Sequence, residues 1–227
     1  MLRWLGGFLL LMLAGAPAFA APSCIRPPGV GEPSLDFQVR EAQVMLHHEV
    51  DLFGLPRLQG HMESVPSGWA IQGLTLASDQ VSLQAAWKLA PQPDGGVCLW
   101  IEKVTAVLGM PEQRVYIASD YQPGSCEYEA ILAHERQHVE INRRTLHDHA
   151  DGIRRALWDG IRQSSPLYLS VKPSDNQLIP RRLMSYLSGE TQRLQSDLRQ
   201  RNGAIDTLDA YRRQQQASGC KHWRSNR

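Results

Sequence analysis

Residues 126–163 read CEYEAILAHERQHVEINRRTLHDHADGIRRALWDGIRQ, and this stretch decides the fold because it predicts one long helix. Apolar residues recur in it every seven positions, at Leu132, Val139, Leu146 and Ile153. That spacing is typical of one helix face. Ser125 precedes the stretch and can cap its N-terminus, and Pro166 follows shortly after its end. We therefore expect an uninterrupted helix over these residues.

A second helix is expected over residues 181–217, where leucine and isoleucine form another helical stripe. A proline-containing loop centred near Pro173 separates the two helices. Residues 122–220 are therefore expected to form a long antiparallel α-helical hairpin. Its first helix carries HExxH, and residues 221–227 follow as a tail.

The region before the helices, residues 21–121, shows β patterns. Alternating or apolar runs bounded by turn residues predict strands at 35–39, 69–76, 81–87, 97–101, 104–108 and 114–118. Together they predict a small, mostly antiparallel sheet. The fold class is therefore expected to be α+β, with the sheet and the helical hairpin in one domain.

The first twenty residues are typical of a secretory signal peptide. Arg3 is followed by a short apolar run, and Ala18-Phe19-Ala20 fits the pattern of a cleavage site. The run is too short for a stable membrane span, although an uncleaved anchor is the alternative. We expect a periplasmic or secreted protein without a membrane span after cleavage. Lys and Arg number 24 against 23 Asp and Glu, so charge gives no reason to expect a nucleic-acid partner.

Four cysteines in an exported chain favour two disulfides, for which three connectivities exist. The hairpin with a turn near Pro173 places Cys126 level with Cys220. This register favours a Cys126–Cys220 bond and leaves Cys24 to pair with Cys98.

The residues HERQH at 134–138 fit the pattern HExxH. On a helix, His134 and His138 project from one face about one turn apart, so both imidazoles can reach one metal ion. Glu135 lies beside that ion, where it can accept a proton from a zinc-bound water and later donate it to the leaving amine. The motif therefore predicts a zinc ion held by the two histidines, with Glu135 as the catalytic base. The alternative is a charged helix face without a metal.

A catalytic zinc site needs a third protein ligand, and we expect Asp209 to provide it. The hairpin register places Asp209 level with Gln137, between the two histidines. A metzincin site is excluded, because Ile141 and Arg144 stand where that class has glycine and histidine. The alternatives that remain open are Asp206, Glu190, Glu127 and the later histidines His147 and His149.

The stretch from Cys126 to Ile141 resembles the core of a bacterial family of unknown function whose members are described as predicted secreted zinc-dependent proteases. This resemblance implies zinc-dependent cleavage of peptide bonds. The family carries a Tyr-Asp-x-x-Thr-x-His-Gly pattern on a later helix. In the comparable place this chain has Leu208-Asp209-Ala210-Tyr211, which keeps the aspartate, and no histidine follows there.

Two functions follow from these features. The leading hypothesis is an exported zinc peptidase that acts on a peptide or protein substrate, including the peptide crosslinks of a cell wall as one substrate class. The alternative is a catalytically inactive relative that serves as a periplasmic binding or assembly protein, and the missing later histidine favours it. A strand over residues 114–118 precedes the motif helix closely, and a sheet edge near that helix can hold an extended peptide by strand addition.

Overall fold

The computed structural model of the chain describes residues 23–58 and 70–224. The expected signal peptide and the start of the strand expected at 69–76 lie outside these residues. Within them the elements are β1 (Ser34–Arg40), β2 (Gln43–His47), α1 (Leu55–Leu58), β3 (Gly73–Ala77), β4 (Gln80–Pro91), β5 (Val97–Gly109), β6 (Glu112–Ile117), α2 (Cys126–Ser164), β7 (Leu167–Leu169), α3 (Leu178–Ile205) and α4 (Leu208–Ser218).

The strands form two small mixed sheets, so the α+β class is confirmed and the mostly antiparallel sheet is corrected. In the first sheet β5 pairs with β4 and β7 antiparallel and with β1 parallel. In the second, β6 lies between β2, which is parallel to it, and β3, which is antiparallel. The parallel pairs arise because the chain through β1 and β2 runs alongside the chain through β5 and β6. Arg40 lies beside Gly109 and Gln43 beside Glu112, so both chains pass from one sheet to the other together.

The long helix expected from the heptad spacing is confirmed as α2. Ser125 is its N-cap, and the Ser125 hydroxyl accepts a hydrogen bond from the backbone N–H of Tyr128. The second helix is divided, in contrast to the single helix expected over 181–217. Thr207 has an extended backbone and caps α4 by accepting from the Ala210 N–H. This cap begins α4, while α3 ends at Ile205 with Asp206 as its C-cap, so Asp206 lies at the junction.

Contacts between α2 and α3 fix their relative direction. Gly160 lies against Tyr186 and Gly152 against Glu190, while His149 contacts Asp197 and His138 contacts Asn202. Residue numbers therefore rise along one helix as they fall along the other. The buried core between these helices and β5 consists of leucine, isoleucine, valine, alanine and methionine side chains, among them Leu146, Ile153, Leu157, Leu183, Leu187 and Leu194.

Two disulfides, Cys24–Cys98 and Cys126–Cys220, join the chain as expected. They indicate an oxidising, extracellular-type environment. The second bond ties the end of α4 to the start of α2. Among the residues that the structure describes, no helix has both the length and the apolar character that crossing a bilayer requires.

Candidate metal centre

Three potential donor atoms converge where α2 meets the junction of α3 and α4. His134 Nε2 and His138 Nε2 lie 3.2 Å apart, and Asp206 Oδ1 lies 3.1 Å and 3.0 Å from them, respectively. Three atoms at these separations can all lie about 2.0–2.2 Å from one point, which is the bond length of a zinc ion to nitrogen or carboxylate oxygen. Both histidines are buried, while the Asp206 side chain is 42% exposed. This group can therefore hold a metal ion, with one side open to solvent.

The orientation of Asn202 shows which nitrogen of His138 carries a proton. The Asn202 amide nitrogen donates to the backbone carbonyl of Leu198 at 2.8 Å. A carbonyl can only accept, so the amide oxygen must point the other way, toward His138 Nδ1 at 2.7 Å. His138 therefore donates from Nδ1, and in the neutral ring the lone pair of Nε2 points at His134 and Asp206. This is the tautomer that a metal ligand needs.

A chain of amides supports Asn202 from behind. The Asn202 amide nitrogen also donates to Asn142 Oδ1 at 2.9 Å, and the Asn142 amide nitrogen donates to Gln113 Oε1 at 2.9 Å. Asn142 and Gln113 are both buried, with 5% and 3% of their surfaces exposed. Buried polar groups persist only when they are satisfied. The relay therefore connects β6, α2 and α3 to the imidazole of His138.

Glu135 is buried directly beside the donor group, with 2% of its surface exposed. Its Oε2 accepts a hydrogen bond from the Thr75 hydroxyl of β3 at 2.7 Å. β3 can come this close because residue 73 is glycine: a Cβ on Gly73 would lie 2.4 Å from Glu135 Oε1. Burial raises the pKa of Glu135, while the charge of His138 and the Thr75 hydrogen bond oppose the rise. A carboxyl group with a raised pKa is suited to proton transfer near neutral pH.

Asp206 and His138 shift each other's pKa within the donor group. Burial disfavours the charge of Asp206, but hydrogen bonds from His134 and His138 hold its pKa well below the usual range. Burial likewise lowers the pKa of His138, but the hydrogen bond and charge of Asp206 outweigh it and raise that pKa above 6.5. In the metal-free protein the carboxylate therefore favours the protonated form of His138. The same field favours a cation at that place.

Tyr211 of α4 contacts two members of the group, Asp206 and His134. Its hydroxyl donates to Asp206 Oδ1 at 3.0 Å, and its ring centroid lies 4.8 Å from that of His134. Burial and the neighbouring Asp206 raise the pKa of Tyr211, so the hydroxyl keeps its proton. Asp206 is therefore oriented by a neutral hydrogen-bond donor.

Asp206, weighed as an alternative ligand, is the acid that lies against the histidines. Asp209, the expected third ligand, points away: its side chain is 76% exposed and pairs with Arg212 at 3.4 Å. This corrects the position expected for Asp209. The reason is the register, because His138 contacts Asn202 where the expected turn had placed Leu208.

The other ligand candidates are engaged elsewhere. They pair as follows: Glu127 with the His222 backbone N–H, Glu190 with Arg193, His147 with Glu41, and His149 with Asp197. The polar residues Thr75, Gln113, Asn142, Asn202 and Tyr211 belong to no sequence motif that predicts their place at this site. One signal was present: Asn202 precedes Asp206 by four positions, the spacing that separates His134 from His138.

A cleft of about 670 Å³ opens beside the donor atoms. β3 and α3 both contribute to its lining, and α2 contributes Glu135, His138 and Asn142. Asp79, just after β3, accepts a hydrogen bond from Gln195 of α3 at 3.4 Å and so joins the two elements at a distance from the histidines. The cleft therefore runs along β3, starting at the candidate metal ligands.

Comparison with known proteins identifies no relative: no family model matches the chain, and no curated protein or solved structure does. What this site does is therefore inferred from its own residues. These are the two buried imidazoles, the Asp206 carboxylate at hydrogen-bond distance from both, and the buried Glu135, which lines the cleft.

Proposed function

We propose that this protein is an exported zinc-dependent hydrolase that cleaves peptide bonds. His134, His138 and Asp206 would be the metal ligands, and Glu135 the general base. The observation that carries the proposal is the buried Glu135 beside three donor atoms that all lie within 3.2 Å of one another. Two imidazole nitrogens and one carboxylate oxygen suit zinc, and three protein ligands leave one position open.

The chemistry divides between the metal and Glu135. A bound zinc ion would supply a Lewis acid and lower the pKa of a coordinated water to about 7. Thr75 holds one oxygen of Glu135 and fixes the direction of the carboxylate. With its pKa raised by burial, Glu135 accepts the proton of the attacking water and returns it to the leaving amine. Tyr211 keeps Asp206 in place during these steps by its hydrogen bond.

An extended peptide fits the cleft because β3 lies at the edge of its sheet. The Ala118 N–H donates to the Gln72 carbonyl at 2.9 Å, so Gln72 directs its backbone groups toward the β6 side. Along an antiparallel strand this direction alternates from one residue to the next. The backbone groups of Gly73, Thr75 and Ala77 therefore point away from β6. All three residues line the cleft. A substrate chain added to this edge would lie next to Glu135.

The test compares zinc affinity and hydrolysis in the purified mature protein. Asp206→Asn should bind zinc at least tenfold more weakly, while the matched control Asp209→Asn should match the wild type. Glu135→Gln should keep zinc and lose hydrolysis of a quenched fluorescent peptide library. Unchanged zinc affinity in Asp206→Asn would contradict the ligand set. Zinc binding without any hydrolysis by the wild type would instead support the role of a binding or assembly protein.

A further inference from the structure

The cleft is closed on one side of the candidate metal ligands. The C-terminal segment crosses there, with the Arg224 carbonyl accepting from Gln72 Nε2 at 3.2 Å and Gln214 Nε2 donating to the Ala130 carbonyl at 2.6 Å. Trp223 packs into the adjoining cluster. Between Trp223, Gln72 and the two site residues His134 and Glu135, only about 10 Å³ of space remains. A substrate chain can therefore extend from the metal ligands mainly toward the other end of the cleft.

Arg199 stands on that open side. It lines the cleft, it is exposed, and within residues 23–58 and 70–224 its side chain forms no ion pair or hydrogen bond. Other arginines of the same helix are paired, Arg193 with Glu190 and Arg201 with Asp148 and Asp197. Of the described residues that line the cleft, Arg199 is the only lysine or arginine. An arginine in this situation offers its donors to a ligand carboxylate.

The helical register gives the distance between Arg199 and the candidate metal ligands. Arg199 precedes Asp206 by seven positions on the cleft side of α3. At 1.5 Å per residue this corresponds to about 10 Å along the helix axis. An extended peptide advances about 3.3 Å per residue. The backbone of Arg199 is thus offset from that of Asp206 along α3 by the length of about three extended substrate residues.

We propose that Arg199 is a specificity-determining residue that binds a carboxylate of the substrate about three residues from the scissile bond. The proposal rests on the function proposed above and adds a substrate class, peptides with an acidic group on the open side of the cleft. That carboxylate is either an acidic side chain or the free C-terminus. Both present the same planar pair of oxygens to the guanidinium.

The experiment measures peptide binding separately from hydrolysis, using the zinc-loaded Glu135→Gln protein. Labelled hexapeptides of one parent sequence carry either glutamate or glutamine at each position in turn, and either a free or an amidated C-terminus. Fluorescence anisotropy gives the dissociation constants. At least one carboxylate-bearing peptide should bind about tenfold more tightly than its neutral counterpart. The position of the effective carboxylate distinguishes a side chain from the terminus.

Arg199→Gln should abolish this preference, while Arg193→Gln, which removes the same charge from an exposed and paired arginine of α3, should preserve it. A preference unchanged by Arg199→Gln, equal binding of acidic and neutral peptides, or no binding of any peptide would overturn the proposal. Peptide hydrolysis by the wild type without an acidic preference would also overturn it, with the proposed hydrolase function intact. An Arg199-dependent preference without hydrolysis would reject the hydrolase and retain Arg199 as the recognition residue.

Discussion

Replacing Asn202 tests whether the amide relay prepares His138 for metal binding. In Asn202→Ala, His138 Nδ1 loses the amide oxygen that lies 2.7 Å away and accepts its proton, so the imidazole can rotate or change tautomer. Loss of such a hydrogen bond behind a metal ligand typically weakens metal binding 10–100-fold. This corresponds to about 1.4–2.8 kcal/mol. Asn142 would lose a hydrogen-bond donor as well, which should lower the stability of the metal-free protein by about 1–3 kcal/mol.

Zinc affinity would be measured by competition with a chromogenic chelator, and stability by urea denaturation without metal. Asn202→Asp keeps an oxygen for His138 but cannot donate to the Leu198 carbonyl. We therefore expect Asn202→Asp to retain more zinc affinity than Asn202→Ala, although both are destabilised. Gln195→Ala, a cleft residue farther along α3, serves as the control. Zinc affinity within twofold of the wild type in a folded Asn202→Ala protein would refute the relay.

Two further predictions concern Gly73 and pH. Gly73→Ala places a Cβ 2.6 Å from Ile131 Cγ2 and 2.4 Å from Glu135 Oε1, so urea denaturation should show a free energy of unfolding lower by about 1–3 kcal/mol, and hydrolysis should fall. The control Gly189→Ala, whose Cβ meets nothing within 4 Å, should not destabilise the protein. Equal behaviour of the two variants would argue against the close approach of β3 to α2. The pKa of His138 is raised above 6.5, so its protonation stabilises the metal-free fold below pH 6.5, and this stabilisation is lost as pH rises through the folded-state pKa. Zinc binds the neutral imidazole, so the increase in Tm that zinc causes should be larger at pH 8 than at pH 6 in thermal denaturation. An increase of the same size at both pH values would contradict the ligand role of His138.

The sequence predicted the local features of the fold well, because they depend on neighbouring residues. The seven-residue stripe and the Ser125 cap predicted the long helix α2. The strand directions were not predictable in the same way. Alternation in β1 indicates which side chains share a face, but it contains no information on whether β5 runs parallel or antiparallel beside it. Pairing of β1 with β5 joins residues far apart in sequence, and only the whole chain determines it.

The candidate site was predictable to the extent that it lies within one helix. The spacing of His134 and His138 is a local property and indicated directly two members of the group that could hold a metal ion. The third acid depended on how the second helix lies against α2. Near the turn the expected register holds, since Gly160 lies against Tyr186 and His149 contacts Asp197. The second helix breaks at Asp206, however, and the single straight helix that was expected placed Asp209 there instead. Thr207 supplied a local signal, since threonine is a favoured N-cap, and its cap divides the second helix at Asp206.

The position of Asp206 shows why distant segments matter for this site. Asp206 lies at the break between α3 and α4. It is fixed on the α4 side by the Tyr211 hydroxyl, and α4 is anchored to the start of α2 by the bond between Cys126 and Cys220. That bond closes a loop of 94 residues in sequence separation, and loops of this size restrict the unfolded chain by about 4–5 kcal/mol. The disulfide therefore stabilises the same helix pair that brings the carboxylate to the histidines, which links the oxidising environment to the geometry of the candidate metal centre.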